Sequence, residues 1–117
     1  MRVIPASLHR ILDFVTVVGF ALAPTLLGLT GPAAMLAYTL AVVHLVLTLM
    51  TQFGDAGSRP VPLRIHGMIE LVVGLALVAA PFVLGWTGAA RTFYLVAGVV
   101  ILAVWALSDY HSAHSHA

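Results

Sequence analysis

"FVTVVGFALAPTLLGLTGPAAMLAYTLAVVHLVLTLMTQFG", Phe14 to Gly54, contains no Asp, Glu, Lys or Arg. A helix needs roughly 20 apolar residues to cross a bilayer core about 30 Å thick. This stretch is long enough for two crossings, and "GLTGP" (Gly28 to Pro32) supplies a turn between them. Two more uncharged runs follow, Leu71 to Ala90 and Thr92 to Ser108. Of the 117 residues, 62% are apolar and 8% charged. An ordinary soluble domain carries about 25% charged residues. A water-soluble fold of this size has too much surface for its volume to hide so much apolar area. The expected fold is therefore an all-α membrane protein with four transmembrane helices, at roughly 6–27, 33–53, 63–85 and 89–110.

Those helices use nearly the whole sequence, so residues 1–117 read as a single transmembrane domain. The start "MRVIPASLHR", the apolar run behind it and "ALA" (Ala21 to Ala23) have the outline of a signal peptide. Pro24 directly after that cut and Asp13 within the apolar run argue for a retained first helix. So does the recurrence of the same segment later in the chain.

Residues 5–53 align without gaps on residues 62–110. Pro5 meets Pro62, His9 meets His66 and Asp13 meets Glu70. Pro24 meets Pro81, Gly28 meets Gly85, Thr30 meets Thr87 and Gly31 meets Gly88. Each unit holds two helices, so both enter the membrane from the same side. The expected arrangement is two parallel two-helix repeats around a pseudo-two-fold axis along the membrane normal. Repeat 1 spans 5–53, a cytoplasmic linker 54–61, repeat 2 62–110, and a short His-rich tail 111–117. Pro24 and Pro81 fall near the ends of the first and third helices, where a missing backbone donor bends or ends a helix. Gly28, Gly31, Gly85 and Gly88 then turn the chain. Trp86, Trp105 and Tyr110 suit the aromatic belts at the membrane interfaces. Arg2, Arg10, Arg59 and Arg64 lie on one side and Arg91 on the other, which places both termini in the cytoplasm. Ala33, Ala37 and Ala41, and likewise Ala76 and Ala80, stand at the spacing of small-residue ladders that let helices approach closely in lipid, although alanine is common in this chain and any single pair reads more simply as chance.

The apolar helix, then Ala-Pro-Phe-Val-Leu-Gly (80–85), then a second apolar helix resembles the SPW-repeat family of small bacterial integral membrane proteins. Those repeats are two-helix units named for a Ser-Pro-Trp motif ahead of a Leu-Gly. Both units match the outline, as two divergent copies. They read Ala23-Pro24-Thr25 and Ala80-Pro81-Phe82, with neither the Ser nor the Trp. The resemblance implies a bacterial cytoplasmic (inner) membrane location and no assigned chemistry.

Two pairs of ionisable residues stand out: His9 with Asp13, and His66 with Glu70. Four residues of spacing puts each pair on one helix face, the carboxylate about 6 Å deeper than its histidine. A carboxylate in the apolar zone is costly and belongs in the bundle interior. If the first and third helices face each other, the four side chains converge. Three roles are open to them. They can be polar glue between helices, with Arg10 and Arg64 as further partners for the carboxylates. They can hold a divalent metal such as zinc, iron or manganese, which imidazole and carboxylate suit. They can carry protons, or the histidines can grip a haem. His44 has Ile101 as its repeat partner and reads as a hydrogen-bonded core residue rather than a ligand, and the tail "HSAHSHA" as a weak metal capturer at most. Thr16, Thr25, Thr39 and Thr48 most simply bond their own helix backbones.

With no cysteine, disulfides, thiolate metal sites and cysteine nucleophiles are excluded. A net charge of +1 and the lack of a basic stripe leave no nucleic-acid partner. No HExxH, glycine-rich phosphate loop or nucleophile triad occurs. The function expected is that of a non-enzymatic accessory or scaffold protein without a cofactor. The alternative is a metal-, haem- or proton-binding or transport protein using His9, Asp13, His66 and Glu70. Its partners are the lipid bilayer and, as candidates, other membrane proteins or further copies of itself.

Overall fold

The computed structural model describes residues 3–54 and 59–110. The His-rich tail, Arg2 and Asp55 lie outside the described residues. The chain runs α1 (Ala6–Leu27), α2 (Gly31–Met50), β1 (Thr51–Gln52), β2 (Val61–Pro62), α3 (Leu63–Val83) and α4 (Gly88–Leu107). All four helices are long and apolar enough to cross a membrane. At 1.5 Å per residue they measure about 30 Å, the thickness of a bilayer core. Their outer faces carry Leu26, Met35, Val42, Met68, Val72 and Val83, each more than half exposed. Such a surface is unfavourable in water and at home in lipid.

Each odd-numbered helix starts directly after a proline, Pro5 or Pro62. The ring fixes φ at a value the first turn accepts. Pro24 and Pro81 sit in the last turns of α1 and α3 as expected, and the carbonyls of both are used by the turns. Leu29 N–H donates to Pro24 O at 2.9 Å, and Trp86 N–H donates to Pro81 O at 2.8 Å. The turns need left-handed backbone at Gly28 (φ 65°) and Gly31 (φ 55°), and again at Gly85 and Gly88. A side chain at any of these would be strained.

α1 packs along α2 and α3 along α4, while α1 meets α4 more sparingly. The tightest approach joins α3 and α4. A Cβ at Gly98 would lie 2.7 Å from Val78 Cγ2 and 2.9 Å from the Gly74 carbonyl oxygen. Of the two small-residue ladders, the one in α2 is buried, with Ala37 at 0% exposure between Ala33 and Ala41. The ladder in α3 is not a packing face. Ala76 is exposed and Ala80 half-buried. The face that packs is Gly67, Gly74, Leu77 and Pro81, because glycine admits a neighbouring helix more closely than alanine does. The main core gathers Phe20, Ala33, Ala37, Ala41, Leu77, Tyr94 and Ile101. There Tyr94 donates to the Ala33 carbonyl at 2.6 Å and ties the second hairpin to the first.

α2 and α4 each end about one turn before the sequence pattern runs out. Thr51 leaves the helix and pairs in parallel with Val61, so the last residue of the linker belongs to a strand. Ser108 makes the same kind of bridge to Ile4. Ile4 N–H donates to Leu107 O and Asp109 N–H to Ile4 O, at 2.9 and 2.8 Å. In the self-alignment Thr51 corresponds to Ser108, and Val61 to Ile4. These extended tails return the chain toward the starts of α1 and α3. Tyr110, expected at the interface, is instead 6% exposed. Its ring fills the space left by Gly67, where a Cβ would lie 2.7 Å from it.

Candidate metal site

α1 carries His9 and Asp13 on its inner face, and α3 carries His66 and Glu70. The histidines are 0% exposed and both carboxylates 3%. The four converge as the spacing predicts. His9 Nε2 lies 2.9 Å from Glu70 Oε1, and His66 Nε2 lies 2.6 Å from the same oxygen. Asp13 Oδ2 is 2.8 Å from His66 Nε2 and 3.3 Å from His9 Nε2. One donor atom from each residue lies within 4.8 Å of the other three. That is the size of a coordination shell. Among the described residues, the partners found for the carboxylates inside the bundle are histidines. The turn residues Pro24, Gly28, Gly31, Pro81, Gly85 and Gly88 lie at the far ends of these helices and shape the loops rather than the cluster.

The outer nitrogens of the two histidines fix their protonation. His9 Nδ1 is 2.7 Å from Ser108 Oγ, and that hydroxyl donates to the Val104 carbonyl at 2.6 Å. His66 Nδ1 is 2.7 Å from Thr51 Oγ1, and that hydroxyl donates to the Leu47 carbonyl at 2.6 Å. A hydroxyl has one proton to give. With it spent on the helix carbonyl, the oxygen accepts from the ring, so Nδ1 carries the hydrogen. In a neutral imidazole Nε2 is then a bare lone pair. Two such lone pairs face two carboxylates, an assembly of acceptors alone. It needs positive charge at its centre, supplied either by one extra proton per imidazole or by one divalent metal ion. Both options neutralise two carboxylates.

Glu70 Oε2 is buried and, among the described residues, makes no hydrogen bond, a condition that costs about 1–3 kcal/mol. Asp13 Oδ2 lies within ion-pair distance of both Nε2 atoms.

The cluster is closed off from the terminal side. Ala6, Phe53, Leu63 and Tyr110 form a second apolar core with Trp105 packed on it. The Phe53 ring centroid lies 6.0 Å from that of His9 and 5.4 Å from that of His66. Tyr110 lies 5.5 Å from His9. The polar centre is thus sealed between two apolar layers, where the low dielectric strengthens every charge interaction.

His44 lies against the cluster. Its Nε2 is 3.3 Å from Asp13 Oδ1, and its ring stands 5.9 Å from that of His66. Sequence reasoning put His44 in the core but apart from the cluster, because the self-alignment sets Ile101 opposite it, and missed Thr51 and Ser108 because they read as helical. One signal was available for the last two: the self-alignment sets the two hydroxyl residues opposite each other. Of the threonines, Thr16 and Thr39 bond their own helix carbonyls, at 2.9 and 2.8 Å. Among the described residues Thr48 Oγ1 makes no hydrogen bond. No family model, curated protein or solved structure matches the chain.

Proposed function

We propose that this is a small multi-pass protein of the bacterial cytoplasmic membrane that binds one divalent transition metal ion through His9, Asp13, His66 and Glu70, without catalysis of its own. The observation that carries the reading is the proton accounting. Both imidazoles spend their N–H on a hydroxyl, so both present a lone pair to a pair of buried carboxylates. Ligating histidines commonly have their other ring nitrogen fixed in this way. Helical bundles build metal sites from facing histidines and carboxylates. A haem is disfavoured, since two Nε2 atoms within 2.6 and 2.9 Å of one carboxylate oxygen leave no slot for a porphyrin.

The centre sits between two parallel repeats. Support for that arrangement comes from the reciprocal pairs: Ser108, after α4, orients His9 of the first unit, and Thr51, after α2, orients His66 of the second. The resemblance to SPW-repeat proteins supports a bacterial membrane origin. Arg10, Arg59 and Arg64 near one end and Arg91 near the other support cytoplasmic termini.

A second reading keeps the two protons in place of the metal and makes the cluster the glue of a scaffold protein. The hydrogen-bond spacing of 2.6 and 2.9 Å to Glu70 favours it. The two are separated by purifying the protein in mild detergent, without chelators or a His-tag, and measuring metal by elemental mass spectrometry. Near one ion per chain is expected, and none in His9→Ala/His66→Ala. Wild-type protein that stays metal-free after incubation with zinc, iron(II) and manganese(II) would leave the glue reading.

A further inference from the structure

The two carboxylates of the cluster are unequal, and the inequality bears on which metal fits. Asp13 is held from both sides. Its Oδ2 points to the paired histidines, while its Oδ1 lies 3.3 Å from His44 Nε2. His44 is 8% exposed, and among the described residues the Asp13 carboxylate is the charged group within ion-pair distance of its Nε2. Among the described residues Glu70 has no such attendant. The repeat position equivalent to His44 is Ile101, which is buried in the apolar core. Accordingly Glu70 Oε1 engages both histidines, and Oε2 is buried without a partner. A carboxylate with one oxygen occupied by a neighbour offers a metal one donor. A carboxylate with its second oxygen unspent, on a side chain one methylene longer, can close on the metal with both.

We infer that His44 is a positioning residue that holds Asp13 to a single donor oxygen, so that the centre offers five donors: Nε2 of His9 and His66, Oδ2 of Asp13, and both oxygens of Glu70. This rests on the metal-binding reading above and sharpens it. Zinc in closed protein sites takes four ligands in a tetrahedron. Two imidazoles and three carboxylate oxygens instead suit a divalent metal of five or six coordination, of the manganese(II) or iron(II) class. Selection here comes from geometry rather than raw affinity, since zinc binds most nitrogen and oxygen sites more tightly than those ions do.

The test uses cobalt(II), whose visible spectrum reports coordination number. Metal-stripped protein in detergent is titrated with cobalt(II), for the wild type and for His44→Leu and His44→Gln. The wild type is expected to show the weak bands of five- or six-coordinate cobalt. His44→Leu is expected to bind about 10- to 100-fold more weakly, the usual loss when a residue that orients a ligand is removed. His44→Gln places an amide N–H near the position of Nε2 and should restore most of that loss. A residue that merely fills space would be served as well by leucine. If His44→Leu does not purify, His44→Asn takes its place: its amide falls short of Asp13, so it should bind more weakly than His44→Gln. An intense tetrahedral spectrum in the wild type, or equal affinity in the leucine or asparagine variant, overturns the inference and leaves metal binding intact. Failure of the wild type to bind cobalt(II), zinc or manganese(II) at all overturns the metal-binding reading and this inference together.

Discussion

The single proton of Ser108 decides what His9 can do. It goes to the Val104 carbonyl, which makes the hydroxyl an acceptor and turns the His9 lone pair toward the carboxylates. Ser108→Ala removes that control and lets the ring rotate or change tautomer. The expected effect is a 10- to 100-fold loss of metal affinity with one ion per chain still bound at saturation, checked by titration with a metal-sensitive dye. Thr51→Ser should keep the affinity, because it keeps the hydroxyl, whereas Thr51→Val should match Ser108→Ala. The same scale shows what a sequence can reveal. His9, Asp13, His66 and Glu70 were legible because an ionisable residue in an apolar run is conspicuous and the spacing recurs. Thr51 and Ser108 were not, because small hydroxyl residues are ordinary in membrane helices. Their role depends on a tertiary approach across a sequence separation of 99 residues for Ser108 and 15 for Thr51.

Among the elements, hydropathy located all four helices, and the starts of α1 and α3 were marked by their prolines. The ends of α2 and α4 were hidden. No charge marks the stop in "LTLMTQF", and in "WALSDY" the first charge, Asp109, comes only after α4 has ended; the helices stop there because the backbone finds strand partners at Val61 and Ile4. The contact face on α3 was not legible for a related reason: alanine spacing marks a candidate face, and packing partners select among candidates. Gly98 tests that selection. Gly98→Ala would set a Cβ 2.9 Å from the Gly74 carbonyl and 3.0 Å from the Val78 nitrogen. These are backbone atoms that cannot swing aside, so α3 and α4 must separate. The expected cost is about 1–3 kcal/mol, read as a lower unfolding temperature in detergent. Gly19→Ala, with nothing within 4 Å of the new atom, should stay within about 0.5 kcal/mol of the wild type.

For the whole molecule, the proposed metal binding predicts a link between occupancy and stability. An ion that binds only the folded protein stabilises it by about 2.7 kcal/mol when present at 100 times its dissociation constant. The wild type should therefore melt higher as manganese(II) or zinc is added, and His9→Ala/His66→Ala should not respond. Charge balance adds a second readout. If the empty centre holds one extra proton on each imidazole, loading a divalent ion expels about two protons, countable with a pH indicator in weak buffer. Release near zero would mean that the empty centre carries no such protons.

The reciprocal pairing of tails and histidines also orders events in time. A chain enters the membrane from its N-terminus onward, and α1 arrives with His9 and Asp13 already inside it. The hydroxyl that orients His9 follows 99 residues later, after every helix has been made. Until then the pair stands without Glu70, His66 and Ser108, and of the groups it meets in the finished fold it has only His44. The centre is thus the last part of the fold that can be completed, because its final contact comes from a residue beyond the last helix.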